Sequence, residues 1–170
     1  AYLTSKMKIT DSPRYLRHKG KPIVAIWGFG FTDRPGPPAE ARGVIQFFKT
    51  AGCTVMGGVP TNWRTLDGDS QTDAAWADVY RSFDIISPWA VGRYKTLTEA
   101  DNFKQNLIVP DLADVTSHGR EYMPVIFPGF SWFNLTGGPL NQIPRYGGTF
   151  YWRQAYNAKL SGCSMIYGAM

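Results

Sequence analysis

Five apolar runs, separated by segments of helical character, constrain this chain more than any single motif. They read PIVAIWG (22–28), CTVMGGV (53–59), DIISPW (84–89), YMPVIFP (122–128) and CSMIYGAM (163–170). Each is apolar without alternation, the pattern of a parallel strand covered on both faces. Helices are expected over 38–51, 72–83, 96–117 and 149–161. In the first of these, Val44, Phe47 and Phe48 fall at i, i+3 and i+4, which predicts a core-facing stripe. With Trp27, Met56, Ile86, Val125 and Ile166 as strand markers, the steps are 29, 30, 39 and 41 residues, the spacing of βα units.

Two α/β architectures repeat in this way, the doubly wound open sheet and the (β/α)8 barrel. The open sheet would use GFGFTD (28–33) as a dinucleotide loop. It has Gly28 and Gly30, but Asp33 stands where the third glycine is needed, and Phe29 and Phe31 crowd the phosphate position. A nucleotide-dependent oxidoreductase is therefore disfavoured. The barrel predicts functional residues after the strands and bland loops before them. The chain has that asymmetry: GFGFTDRP, PTNWRTLDGD, PWAVGRY and PGFSWFNLTGGPLNQIPR follow strands, whereas HKGK, TAGC, RSFD, SHGRE and LSGC precede them. The chain is expected to supply about five strands and four helices of one barrel domain across 1–170.

Chain length and composition allow one good core, at 170 residues with 44% hydrophobic and 15% aromatic content. The net charge of +5 comes from scattered cations, and the densest cluster, RYLRHKGK (14–21), directly precedes a strand. No nucleic-acid partner is expected, because no reading element accompanies it. No window of about 18 uninterrupted apolar residues occurs, so no membrane partner is expected either. Cys53 and Cys163 sit in similar contexts, TAGCTVMGG and LSGCSMIYG, each after a glycine suited to cap a helix. They read as buried core residues of one repeated unit, with a disulfide as the alternative. His18 and His118 both precede strands, which places them away from the functional rim and argues against a His metal site or relay. GFSW (129–132) fails the Gly-x-Ser-x-Gly elbow. No metal and no cofactor is expected.

The post-strand residues combine flat apolar faces with planar hydrogen-bonding groups. Trp27, Trp63, Trp89, Tyr94 and Trp132 stand beside Asn62, Arg64, Arg93, Asn134, Asn141, Gln142 and Arg145. A pyranose needs both kinds of group, because its faces show C–H groups and its buried hydroxyls must stay paired. Carbohydrate is the expected partner. Glycoside hydrolysis commonly uses two carboxyl groups about 5 to 9.5 Å apart. Among the acids only Asp33 is well placed on the rim, as a sugar contact and the one candidate catalytic acid. Asp67 and Asp69 read as turn residues. Asn134-Leu135-Thr136 also matches the N-glycosylation acceptor pattern.

Beyond single residues, DSPRYLRHKGKPIVAIWGFGFTDRP, CTVMGGVPTNWRTL, DIISPWAVGRY, PVIFPGFSWFN and NQIPRYGGTFYWRQAYNAKLSGCSMIYGAM resemble glycoside hydrolase family 71/99-like proteins. The resemblance covers most of residues 11–170. It implies a (β/α)8 barrel acting on polysaccharide or glycan chains, or descended from enzymes that do. In relatives the strand resembling MIYGAM runs into an acidic segment with two Glu three apart, and that segment lies past Met170. Relatives commonly carry His where this chain has Phe133. The resemblance thus predicts part of a barrel that lacks its first strands and its C-terminal portion. It also implies a secreted or cell-envelope location. Two functions stand open: a glycosidase, and a non-catalytic carbohydrate-binding or structural protein on the same scaffold.

Overall fold

A computed structural model describes residues 6–170. A short hairpin of β1 (Arg17–His18) and β2 (Lys21–Trp27) opens the sheet, and β3 (Thr54–Val59), β4 (Ile85–Pro88) and β5 (Glu121–Tyr122) follow in order. Every pairing after the hairpin is parallel. A second pair, β6 (Val125–Ile126) and β7 (Tyr167–Gly168), is also parallel. The helices are α1 (Pro38–Thr50), α2 (Ala75–Arg81), α3 (Leu97–Phe103), α4 (Val109–Ser117), α5 (Phe133–Thr136) and α6 (Thr149–Leu160). None is long and apolar enough to cross a membrane.

The fourth apolar run is one strand that changes partners, and Pro124 is the reason. Met123 N–H still donates to Ile86 O at 2.9 Å, but Pro124 has no N–H to continue that ladder. Its carbonyl instead accepts from Tyr167 N at 3.0 Å, and β6 continues alongside β7. Five parallel strands thus follow one another in chain order as an arc of a (β/α) barrel. The arc is curled enough that Trp27, from its first strand, meets Tyr167, from its last, at 5.2 Å between ring centroids.

All six residues of β3 are buried, and two of them are glycines for a packing reason. A β-carbon on Gly57 would come 2.3 Å from the Phe83 ring, and one on Gly58 would come 1.8 Å from the Trp27 ring. Adjacent strand residues face opposite sides, so Gly57 admits the helix layer and Gly58 admits Trp27. Between sheet and helices, Ile45, Val55, Val79, Tyr80, Phe83 and Val115 form one core; Tyr94, Phe127 and Phe150 centre a second.

Three expectations need correction. The inward stripe of α1 is Ala41, Ile45 and Phe48, whereas Val44 and Phe47 are exposed. Ala41, Ile45 and Phe48 are spaced i, i+4 and i+7, so the buried face keeps the helical period and only its direction differs from the expected one. The helix expected over 96–117 is broken by a π-turn, Lys104–Ile108. Pro110 lacks the N–H for the preceding turn and crowds its carbonyl, and a wider turn absorbs the mismatch. The last run forms strand only at Tyr167–Gly168.

The repeated cysteine unit holds closely. Gly52 and Gly162 adopt φ of 82° and 90°, and Cys53 N and Cys163 N each donate 3.1 Å back into the preceding helix, to Phe48 O and Ala158 O. Both thiols are buried and free. His18 pairs with Glu121 at the start of β5, and His118 caps α4 beside Asp114, so both lie at the N-terminal end of the strands.

Candidate functional site

A cleft of about 880 Å³ opens where β2, β4 and β6 end. Trp27 closes β2 and Trp89 directly follows β4; their indoles meet edge to face at 5.5 Å and 83°. Trp132 enters from the loop after β6, braced by Phe130 at 4.9 Å and 85°. It stays 46% exposed, which leaves an indole face available to a ligand. Asp33, Arg34 and Arg93 supply the charged groups of the lining, and Phe29, Phe31 and Val91 extend its apolar wall. Asp33 is largely solvent-exposed and lies 3.6 Å from the Arg34 guanidinium. Among the described residues it is the only carboxylate that lines the cleft.

Five expected site residues therefore come together: Trp27, Asp33, Trp89, Arg93 and Trp132. Three turn away into the protein. Trp63 is fully buried, with its indole N–H donating to Asp111 at 3.1 Å, so it is a core residue with no face for a ligand. Arg64 follows it, and its Nε donates to Asp111 at 2.9 Å. Tyr94 is buried under α6, its hydroxyl donating to Gln154 Oε1 at 2.7 Å; burial pushes its pKa far above the ordinary tyrosine range. Asn62 is spent within its own loop. Its amide donates to Asp67 at 2.6 Å, and that bond, with one from Thr65, holds the Asp67 carboxyl below the usual range.

Asn134, Asn141, Gln142 and Arg145 are exposed on the loop after β6 and do not line the cleft. That loop is closed at its base, because Phe130 and Ile143 exchange backbone hydrogen bonds of 3.0 and 2.9 Å. Gly129 makes the closure possible: at φ 150° its missing β-carbon would fall 2.7 Å from Ile143 O. Inside the loop lies α5, a helical turn absent from the sequence reading, with Thr136 donating its hydroxyl to Trp132 O at 3.1 Å.

Three braces escaped notice in the sequence. Gln154 holds the Phe127 backbone from both sides, accepting its N–H at 3.1 Å and donating to its carbonyl at 2.8 Å, and so steadies the chain that delivers Phe130 and Trp132. Asp111 sits buried on α4 beneath the loop after β3 and also accepts from Tyr122 at 3.3 Å. Burial pushes its carboxyl up to about 6, against the opposing pull of Arg64, Trp63 and Tyr122. Asp69 joins the rim loops to one another. No group of three His, Cys, Asp or Glu among the described residues is placed to hold a metal ion.

No model of a known protein family matches the chain, and no curated protein matches it. Solved structures do. One is a GH99 endo-α-mannosidase from Bacteroides thetaiotaomicron, at 17% identity and a TM-score of 0.64 over 98% of this chain. The chain shares the fold of that structure. The same mannosidase in complex with BIS-TRIS-Propane matches at 16% identity and the same TM-score. This chain spans about half the length of these structures, 46% and 48% respectively. At that identity the likeness concerns the fold, and function has to be argued from the cleft.

Proposed function

We propose that the cleft is a glycan-binding site in part of a glycoside hydrolase family 71/99-like barrel. The observation that carries this reading is the lining itself: three indoles with Asp33, Arg34 and Arg93 at the C-terminal ends of the strands. Active sites of (β/α)8 barrels gather at that end. Indole faces suit the C–H faces of a pyranose, and guanidinium and carboxylate groups pair with its hydroxyls. The mannosidase structures support the reading at the level of fold.

Calorimetry of the full-length protein against a panel of oligosaccharides tests it. Trp132→Ala is expected to weaken the tightest interaction about tenfold, since an aromatic platform contributes on the order of 1 kcal/mol beyond buried area. Melting temperature should hardly move, because Trp132 is half exposed. Unchanged affinity for every glycan in the panel would refute the reading.

Binding without hydrolysis is the second reading. It is favoured by one observation, that Asp33 is the only carboxylate lining the cleft among the described residues, whereas glycosidases commonly use two. Glycosidase assays on the full-length protein separate the two readings: release of reducing sugar that Asp33→Asn abolishes would favour hydrolysis, with Asp33 as one of the two acids.

A further inference from the structure

The loops that carry the cleft residues do not stand independently, and Asp69 is where they meet. Its backbone carbonyl accepts from Thr32 N at 3.0 Å, in the loop after β2 that presents Phe31 and Asp33. Its carboxylate accepts from Thr61 N at 2.9 Å and Asn62 N at 3.0 Å, in the loop after β3. The same carboxylate accepts from Arg93 Nη2, in the loop after β4. Thr61 then passes the link onward, its hydroxyl donating to Trp89 O at 2.6 Å. Three rim loops thus converge on one residue, the first through its backbone carbonyl and the others through its carboxylate, and that residue does not itself line the cleft.

The Arg93 guanidinium is the member of this network that reaches a ligand. It lines the cleft with its side chain 39% exposed, while Asp69 is 13% exposed. Only Nη2 is engaged; Nε and Nη1 make no hydrogen bond to any described residue. A guanidinium held at one corner keeps its remaining N–H donors in a fixed plane, and the ordering that a ligand would otherwise impose is already in place.

We infer that Asp69 is a positioning residue that fixes Arg93 at the cleft as a preset donor to the ligand. For the ligand this rests on the glycan reading of the cleft; for the ordering of Arg93 it rests on the network alone. The two are separable by experiment.

Without any ligand, the Arg93 Nε–H resonance of 15N-arginine-labelled protein, assigned by its loss in Arg93→Lys, reports the guanidinium's order. It should be rigid in the parent and mobile in Asp69→Asn, whose amide cannot accept from all three donors. A guanidinium already mobile in the parent overturns the inference, and that outcome needs no Asp69 variant to fold. With a glycan that the parent binds, Asp69→Asn is expected to lose about tenfold in affinity, and to lose almost nothing more when Arg93→Ala is already present. Its melting temperature should fall in both backgrounds, because an amide cannot accept from both the Thr61 and the Asn62 N–H as the carboxylate does. An equal loss of affinity in both backgrounds would mean that Asp69 only supports the loops, and would overturn the inference. A rigid Arg93 in a protein that binds no glycan would leave Asp69's action on Arg93 standing and sink the glycan reading.

Discussion

Replacing Asp111 by Asn isolates the energetic cost of one buried charge. The carboxyl is about 1% exposed and accepts from Trp63, Arg64 and Tyr122. Burial nevertheless dominates and raises it from 3.8 to about 6. A folded-state value above the unfolded one means that the native protein binds this proton more tightly. Its stabilising effect is complete below the unfolded pKa and is lost as pH rises through about 6. The displacement corresponds to about 3 kcal/mol in all, of which about 2 kcal/mol is lost between about pH 4.5 and 7.5. Asp111→Asn removes the ionisation while keeping the shape. Arg64 is partly exposed and can turn to water. Urea unfolding of parent and variant across that range is the assay, and the difference between them cancels every other titrating group. The variant should gain about 2 kcal/mol on the parent from the acid end to the neutral end. A difference independent of pH would show that Asp111 is ionised at no net cost, and would refute the argument from burial.

Two further substitutions test the packing that delivers the cleft. Gly58→Ala would place a methyl 1.8 Å from the Trp27 indole in fully buried β3, and is expected to cost about 3 kcal/mol in urea unfolding and to displace Trp27. Gln154→Leu leaves the Phe127 N–H and carbonyl buried without that partner, and should cost about 4 kcal/mol by the same assay.

The course of the strands was legible in the apolar runs, but cover on both faces holds only for β3, β4 and β6, which are buried throughout, whereas β2 is partly exposed and β7 exposed. Glycine and proline carried local meaning as well: Gly52 and Gly162 end helices as their positions suggested, while Pro124, read as strand interior, is where the fourth strand changes neighbours. Placement after a strand located the rim but not the direction of each side chain. Trp89 and Trp132 face the cleft, whereas Trp63 turns inward because its indole N–H finds Asp111, which is 48 residues away on α4. Tyr94 turns inward for a like reason, toward Gln154, 60 residues on. Long-range pairings of this kind leave no local signal. Asp69 had the composition of a turn and sits in one, and its reach to Thr32, Thr61 and Arg93 follows only from how the loops fold together.

On the proposed function, the cleft between β2, β4 and the loop after β6 holds a glycan. A structure of the full-length protein with an oligosaccharide that it binds in solution tests this most directly. The expected result is a sugar ring packed on the exposed face of Trp132 or Trp89, with Arg93 within hydrogen-bonding distance of a hydroxyl. A sugar seated elsewhere, at the opposite end beside His18 and Glu121 for example, with the three indoles untouched, would contradict it.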